Sequence, residues 1–259
     1  MHTPKHRMFG GVFMKSNKIL ITVVFIAVFA LFLYQVISLG AILMQNHSAM
    51  KEEGVQTLSP DEVGIVVRNG LPNSNQVVFS CNVDWGEDVI PDMLKIFKDN
   101  DIKITFFVSG RWAKNNPELL KEMFQQGHEI QSHGYNHKLC TQNSVETTKE
   151  EILNTEAVIL EILGVKTNVF APPSGDYDQT TVELCKNLGY KMALWSADTI
   201  DWREGSTADV IKNRILKKQL NGAIVLMHPK TETVKALPDL IKEIRGRNLE
   251  IVPLYRLSY

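Results

Sequence analysis

Three histidines lie within ten residues of one another in the stretch GHEIQSHGYNHKLC, which runs from Gly127 to Cys140. His133 and His137 are four residues apart with a glycine between them. That spacing can bring both imidazoles to one side of a single turn, and so to one metal cation. The alternative is that they are ordinary polar residues on a helix end and a loop. His128, the third of the group, is interpreted as a solvated turn residue.

Strand and helix signals alternate along the chain from Gln76 onward. The strand candidates, several of them near-continuous apolar runs, are Val77–Val83, Ile104–Val108, Thr167–Phe170, Lys191–Trp195, Ala223–Met227 and Glu250–Pro253. The helix candidates between them are Ile90–Asn100, Pro117–Gln126, Val145–Leu163, Gln179–Leu188, Ala208–Gln219 and Val234–Arg247. Apolar strands of this kind are expected when helices cover a parallel sheet. About six βα units therefore predict an α/β fold, either a (β/α) barrel or a doubly wound sheet.

Polar side chains and turn residues gather where these strands end. They are Asn82, Asp84, Gly110, the segment Pro172–Gly175, Asp198 and His228. In both candidate architectures, ligands bind beyond the carboxyl ends of the strands. A series of polar residues at successive strand ends is hard to explain by packing, so this edge of the sheet is predicted to be a functional site.

The N-terminus carries the one strongly apolar segment, from Lys18 to Met44. A helix needs about 20 mostly apolar residues to cross a bilayer. Lysines and an arginine precede the segment with no acidic residue among them, which predicts that the N-terminus stays in the cytoplasm. A cleaved signal peptide is the alternative, although the run exceeds the usual h-region of roughly 7–15 residues.

The predicted organisation follows from this anchor. Residues 1–18 form a cytoplasmic basic segment and residues 19–44 a single transmembrane helix. Residues 45–74 form an extracellular tether with a short strand at Glu62–Arg68, and residues 75–259 form the globular domain. The protein is therefore expected in the cell membrane as a single-pass protein with its domain outside.

Charge and cysteine content exclude several classes of protein. The chain has 28 Lys+Arg against 29 Asp+Glu, a net charge of -1, so no basic field favours a nucleic-acid partner. Cys81, Cys140 and Cys185 are scattered without a Cys-x-x-Cys pair. Three such cysteines fit neither a disulfide framework nor a zinc-thiolate site, and we expect them to be small buried apolar residues.

Five motifs occur in a fixed order: SCNVDWG at Ser80–Gly86, HGYNH at His133–His137, APPSG at Ala171–Gly175, WSADTIDW at Trp195–Trp202 and LMH at Leu226–His228. Together they resemble the polysaccharide deacetylases with a NodB-homology domain, carbohydrate esterase family 4. The resemblance spans residues 75–259. It implies a deformed (β/α) barrel and a divalent metal ion, zinc with cobalt as the alternative.

The same resemblance implies the roles of individual residues. Asp84, His133 and His137 correspond to the metal ligands of the family. His228 corresponds to the general acid that protonates the leaving amine, and Asp198 to the acidic residue that orients it. Substrate binding is assigned to Pro172, Pro173, Trp85 and Trp202 at the rim of the groove.

Two departures from the family pattern affect the base. Asn82 stands at the position of the family's general base, and a neutral amide cannot accept a proton at ordinary pH. The arginine that steadies that base is replaced by Ala171. A second alignment of SCNVDWG with the family's first motif makes Asp84 the base, and the metal then lacks its aspartate ligand. Glu87 or Asp88, just after the strand, are further candidates to replace the base.

The pattern is similar to that of divergent, membrane-anchored deacetylase-like proteins of spore-forming bacteria, which implies peptidoglycan amino sugars as the ligand and sporulation as the setting. The first hypothesis is a metal-dependent N-deacetylase that releases acetate from this glycan. The second is a pseudoenzyme that binds glycan or a partner protein. A metal hydrolase for another amide or ester is the third.

Overall fold

The computed structural model describes Gln35 and residues 62–259. The predicted cytoplasmic segment, the predicted transmembrane helix apart from Gln35, and the tether up to residue 61 lie outside the described residues. Within the described part, no helix is long and apolar enough to cross a membrane.

Residues 62–259 contain nine β-strands in one sheet. They are β1 Val66–Val67, β2 Gln76–Val83, β3 Thr105–Val108, β4 Glu129–Ser132, β5 Val169–Phe170, β6 Lys191–Ala193, β7 Ala197–Asp198, β8 Ile224–Met227 and β9 Glu250–Val252. Their order in the sheet is β1-β6-β5-β4-β3-β2-β8-β7, and β9 also pairs with β2. The strand pairs are parallel throughout this sheet.

The sheet curls back on itself. An isolated antiparallel bridge joins Asn69, just after β1, to Ala223, just before β8. Next to it, Gly70 N donates a 2.7 Å hydrogen bond to Gly222 O. These contacts link one edge of the sheet to a strand near the other edge. The parallel, curled form of the predicted deformed barrel is therefore confirmed.

Seven α-helices lie in residues 62–259. They are α1 Ile90–Asp99, α2 Gly110–Asn115, α3 Pro117–Gln125, α4 Val145–Leu163, α5 Gln179–Leu188, α6 Ala208–Leu216 and α7 Thr231–Gly246. Several begin at a side-chain cap: Ser144 accepts from Thr147 N before α4, and Asp178 forms a capping box with Thr181 before α5. Such caps satisfy amide groups that have no partner inside the helix.

Three elements near the site were not predicted from the sequence: the strands β4 and β7 and the short helix α2. The four residues of β4, Glu-Ile-Gln-Ser, carry one apolar side chain, so no apolar run marked them. Gln131 replaces an apolar residue there because its side-chain oxygen accepts the amides of Asn168 and Val169, at 3.0 Å each.

The two faces of β2 have different surroundings. Val77, Phe79, Cys81 and Val83 belong to the core that the helices cover. Val78 belongs instead to the cluster inside the curl of the sheet. Since side chains alternate along a strand, Asn82 shares the inner face with Val78. This alternation directs Asn82 toward the interior near the carboxyl end of the strand.

His128 is buried, with 3% of its surface exposed, so its interpretation as a solvated turn residue is wrong. Its ring packs edge-on against Phe97 and Phe106, and its Nδ1 accepts a 3.2 Å hydrogen bond from Ile104 N. Burial, and secondarily the charge of Lys103, lower the pKa of His128 to about 4. The folded protein therefore holds this imidazole neutral.

We expect acid to destabilise the fold partly through His128. The unfolded chain takes up this proton below about pH 6.5, whereas the folded protein resists it down to about pH 4. Stability from this group is complete above pH 6.5 and falls by about 3 kcal/mol by pH 4. His128→Asn keeps an acceptor for Ile104 N but does not titrate. Urea unfolding at several pH values should show that the variant loses less free energy of unfolding than the wild type between pH 6.5 and pH 4. Parallel curves of unfolding free energy against pH would contradict this account.

Candidate functional site

A cleft of about 460 Å³ opens beyond the carboxyl ends of the central strands. Its lining residues are Asn82, Asp84, Trp85, His133, His137, Ser174, Trp195, Asp198, Trp202, Leu226 and His228. The structure thus brings together most of the site residues proposed from the sequence. Pro172 and Pro173 are buried and do not line the cleft, and the exposed Ser174 after them lines it instead.

His228 follows β8 and is held by a buried carboxylate. Its Nδ1 lies 2.7 Å from Asp201 Oδ1, and its backbone N donates to Asp201 Oδ2, also at 2.7 Å. Thr233 Oγ1 donates a third bond to the same carboxylate at 2.7 Å. With Nδ1 bound to Asp201, Nε2 is the ring nitrogen left for a ligand in the cleft.

Asp201 is suited to stay ionised as the partner of this imidazole. Burial alone raises its pKa, but the hydrogen bond and charge of His228, with the hydroxyl of Thr233, bring the pKa below its usual value. An ionised carboxylate fixes the tautomer of a histidine and stabilises its protonated form. The pair has the geometry of a general acid and the group that orients it.

The prediction that Asp198 orients His228 is wrong. Asp198 lines the cleft, but its Oδ1 accepts a 2.7 Å bond from Ile200 N, and burial raises its pKa. Ile200, between the two acids, has a φ of 50°, which is uncommon for a β-branched residue. The two aspartates are three residues apart in one motif, and the sequence held no signal for this turn.

The two predicted imidazole ligands meet at the end of β4. The rings of His133 and His137 have centroids 5.0 Å apart and are inclined by 75°. Nδ1 of His133 lies 2.8 Å from the carbonyl oxygen of Ala171, which leaves Nε2 available. Burial, and secondarily the neighbouring His137, lower the pKa of His133 to about 3, so this ring is neutral as a metal ligand requires.

The loop that carries both histidines is fixed from two sides. Asn136 N donates a 2.6 Å bond to the carboxylate of Glu151, a buried residue of α4. Gly110 N and Arg111 N, at the start of α2, donate 3.0 Å bonds to the carbonyls of Gly134 and Tyr135. Glu151 was not among the predicted site residues, because an acid within a long helix gives no sign that it bonds to a distant loop.

Asp84 directly follows β2 and has two protein partners. Ser109 Oγ donates to its Oδ1 at 2.5 Å, and Arg111 Nη2 donates to its Oδ2 at 2.8 Å. Its side chain is 16% exposed, whereas that of Arg111 is 52% exposed. Both oxygens of Asp84 therefore bond to neighbours that lie 25 and 27 residues away in the sequence.

The turn after Asp84 packs on the segment that carries His228. Gly86 has a φ of 90°, and a Cβ there would lie 2.5 Å from Pro229 Cγ. Only glycine suits this close approach. Trp85, between Asp84 and Gly86 in the sequence, stacks on the His228 ring with the ring centroids 6.0 Å apart. Trp85 and Trp202 are 38% and 55% exposed, as expected for residues at a rim.

The predicted metal set fits only in part. Among residues 62–259 and Gln35, no group of three or more His, Cys, Asp or Glu side chains could hold a metal ion. The ring of His133 has Nε2 available and lies 5.0 Å from the ring of His137, but Asp84 does not complete the set. Asn82 lines the cleft, and its buried Oδ1 has no hydrogen-bond partner among residues 62–259.

Comparison with known sequences gives a consistent family. The family model for polysaccharide deacetylase matches residues 72–193. The chain is 34% identical over 193 residues to an uncharacterized protein, YlxY, of Bacillus subtilis, covering 74% of this chain and 59% of that protein. It is 30% identical over 170 residues to the peptidoglycan-N-acetylglucosamine deacetylase PgdA of Listeria monocytogenes, covering 65% and 36%. The chain thus spans less than two thirds of either relative.

Solved structures give the same result. A pseudoenzyme of carbohydrate esterase family 4 from Bacillus anthracis matches with a TM-score of 0.73 at 32% identity, covering 77% of this chain and 69% of that chain. A mutant of that pseudoenzyme with restored enzymatic activity matches with a TM-score of 0.73 at 30% identity, covering 77% and 72%.

The free energy of unfolding tests whether Asp201, rather than Asp198, is the partner of His228. Asp201→Ala removes the acceptor of three buried or half-buried donors and should cost about 3 kcal/mol. Asp198→Ala is the matched control, since it removes one bond, from Ile200 N, and should cost about 1 kcal/mol. Urea unfolding at pH 7 measures both. If both variants lost the same free energy of unfolding, Asp198 would be as good a candidate as Asp201 for the partner of His228.

Proposed function

The chain belongs to the polysaccharide deacetylase family, carbohydrate esterase family 4, and from this premise we propose that it is a metal-dependent N-deacetylase of peptidoglycan amino sugars. The reaction would hydrolyse the acetamide C–N bond and release acetate. The observation that carries the proposal is one cleft lined both by His228, which Asp201 holds from behind, and by the His133–His137 pair.

The residues of the cleft divide the chemistry between them. When bound at His133 and His137, a divalent ion, zinc with cobalt as the alternative, would supply Lewis-acid polarisation of the acetamide carbonyl and an activated water. His228 Nε2 would donate the proton that the leaving amine needs, and Asp201 would hold the imidazole in the required tautomer. Trp85 and Trp202, exposed at the rim, would pack against sugar rings.

The choice of peptidoglycan rests on relatives and on the predicted location. The Listeria relative is a peptidoglycan-N-acetylglucosamine deacetylase, although it is much longer than the region matched. We place residues 19–44 in the membrane as an anchor with the domain on the outer face, where this glycan lies. Sporulation remains the proposed setting on the resemblance alone.

A glycan-binding pseudoenzyme is the second candidate. Asn82 cannot act as a base, and no arginine stands at Ala171 to steady one. The Bacillus anthracis relative of similar fold is itself a pseudoenzyme. Under this candidate the cleft would bind N-acetylated glycan and release no acetate.

We expect the purified full chain to release acetate from peptidoglycan or chitooligosaccharides when zinc or cobalt is added. His133→Ala is the control, because it removes an imidazole that the chain holds ready for a metal. Acetate release and bound metal are measured in the same samples. Metal without acetate in the wild type would favour the pseudoenzyme, and neither metal nor acetate would contradict the proposed ligand pair.

The pseudoenzyme candidate has a test of its own. If the lost base alone silences the site, Asn82→Asp combined with Ala171→Arg should create acetate release where the wild type has none. Ala171→Arg alone is the matched control, since an arginine without the new carboxylate supplies no base. A double variant that binds metal and glycan but stays inactive would exclude this explanation.

A further inference from the structure

We infer that a hollow beside the cleft binds a carboxylate of the glycan, and that Arg203 and Lys230 in this hollow make the protein prefer acidic glycan chains to neutral ones. The inference rests on the proposed function, because it assumes that a glycan lies in the cleft. It does not depend on acetate release, so it applies equally to a deacetylase and to a pseudoenzyme that binds glycan.

The hollow has a volume of about 540 Å³ and lies between two segments, residues 201–207 and residues 230–232. The first segment follows β7, and the second includes the start of α7. Trp202 lines both the cleft and the hollow, so the two spaces are neighbours. A glycan chain that extends from the cleft past Trp202 would therefore reach the hollow.

Two cationic side chains lie at the boundary between cleft and hollow. Arg203 lines the hollow, and its guanidinium carbon lies 5.3 Å from the centre of the Trp202 ring. Lys230 also lines the hollow, and its Nζ lies 4.4 Å from the ring centre of Trp85, which lines the cleft. Each cation thus contacts a tryptophan of the cleft wall, so both positive charges lie near the edge of the cleft.

The charges of Arg203 and Lys230 are available to a ligand, because no carboxylate among residues 62–259 forms an ion pair with either side chain. Guanidinium and ammonium groups bind carboxylates through charge-assisted hydrogen bonds, and an arginine can form two such bonds in parallel. Attraction to an aromatic ring holds a cation in place without neutralising its charge. The two side chains are therefore suited to a carboxylate that the ligand supplies.

The acids of the hollow do not cancel these two charges. Asp201 is the hydrogen-bonded partner of His228. Glu232 accepts a 2.8 Å bond from the first backbone amide of α6 and a 2.6 Å bond from Lys235 Nζ. Glu204 is exposed and keeps its charge. In this part of the described chain, two available cations therefore face one available acid.

Backbone hydrogen bonds hold both cationic residues at fixed places. Arg203 N donates to Ile200 O, and Ser206 N donates to Arg203 O, each at 3.2 Å. The buried Ser206 adds a 2.7 Å bond from its Oγ to Ile200 O. On the other side of the hollow, Lys230 N donates to His228 O at 2.9 Å. A ligand therefore has little backbone to order in the hollow, which lowers the entropic cost of binding.

Peptidoglycan offers carboxylates of two origins, whereas chitin offers none. The lactyl group of muramic acid carries a free carboxylate when no peptide is attached. A stem peptide converts that carboxylate to an amide and brings carboxylates of its own. Both origins present the same chemistry to Arg203 and Lys230.

Calorimetric titration of the purified full chain, without added metal, tests the preference. The probes are chitotetraose, a peptide-free peptidoglycan tetrasaccharide, and the same tetrasaccharide with its lactyl carboxylates converted to methyl esters. At low salt we expect the acidic tetrasaccharide to bind about fivefold more tightly than either neutral probe. The difference should shrink at about 0.5 M salt, because salt screens exposed charges. Equal affinity for the acidic and neutral probes, or no binding of the acidic probe, would overturn the inference.

Variants assign the preference to the two cations. Arg203→Gln combined with Lys230→Gln should bring the affinities for acidic and neutral probes within about twofold of each other. Glu204→Gln should increase the preference, because it removes the opposing acid.

The matched control is Lys217→Gln combined with Lys218→Gln, which removes two positive charges at the end of α6 remote from the hollow. A preference that survives in the Arg203 and Lys230 double variant, or that the control loses equally, would overturn the inference. Circular dichroism confirms that each variant is folded. If the double variant does not fold, the two single variants carry the test.

A tetrasaccharide that keeps its stem peptides distinguishes the two origins of the carboxylate. Tighter binding of this probe than of the peptide-free one would assign the hollow to stem-peptide carboxylates, and weaker binding would assign it to the lactyl group. Either result supports the inference, provided that the Arg203 and Lys230 double variant loses the difference.

Failure of the proposed function gives a different result from failure of the inference. If the wild type prefers the acidic probe but releases no acetate, the deacetylase proposal fails and the inference stands. If the wild type releases acetate and binds acidic and neutral probes equally, the inference fails and the deacetylase proposal stands.

Discussion

The position of β2 is the constraint on which the cleft depends. This strand pairs in parallel with β3, β8 and β9, so its carboxyl end lies beside the carboxyl ends of its neighbours. Asp84, Ser109 and His133 each follow directly on the aligned residues Val83, Val108 and Ser132. His228 is the first residue after β8. Parallel pairing alone therefore converges groups from distant parts of the chain.

The two halves of the cleft differ in how closely they keep the family pattern. The acid half is intact, since His228 is bound at both its ring and its backbone by Asp201. The other half has lost a carboxylate and an arginine at their usual positions. In that half, Ser109 and Arg111 at the start of α2 hold the carboxylate of Asp84, which follows β2.

The sequence predicted the elements whose signal is local. The apolar runs of β2, β3 and β8, and the motif histidines, were found because composition and spacing mark them. Asp201, Arg111 and Glu151 were missed or misassigned because their roles come from contacts between distant segments and from a turn at Ile200. His128 was misjudged because burial depends on the packing of Phe97 and Phe106 around it.

A crystal structure of the zinc-soaked protein, with the metal located by anomalous scattering, tests the central claim most directly. The proposed function predicts zinc bonded to the Nε2 atoms of His133 and His137 at about 2.0–2.1 Å, inside the cleft that His228 lines. Zinc absent from these two imidazoles would contradict it.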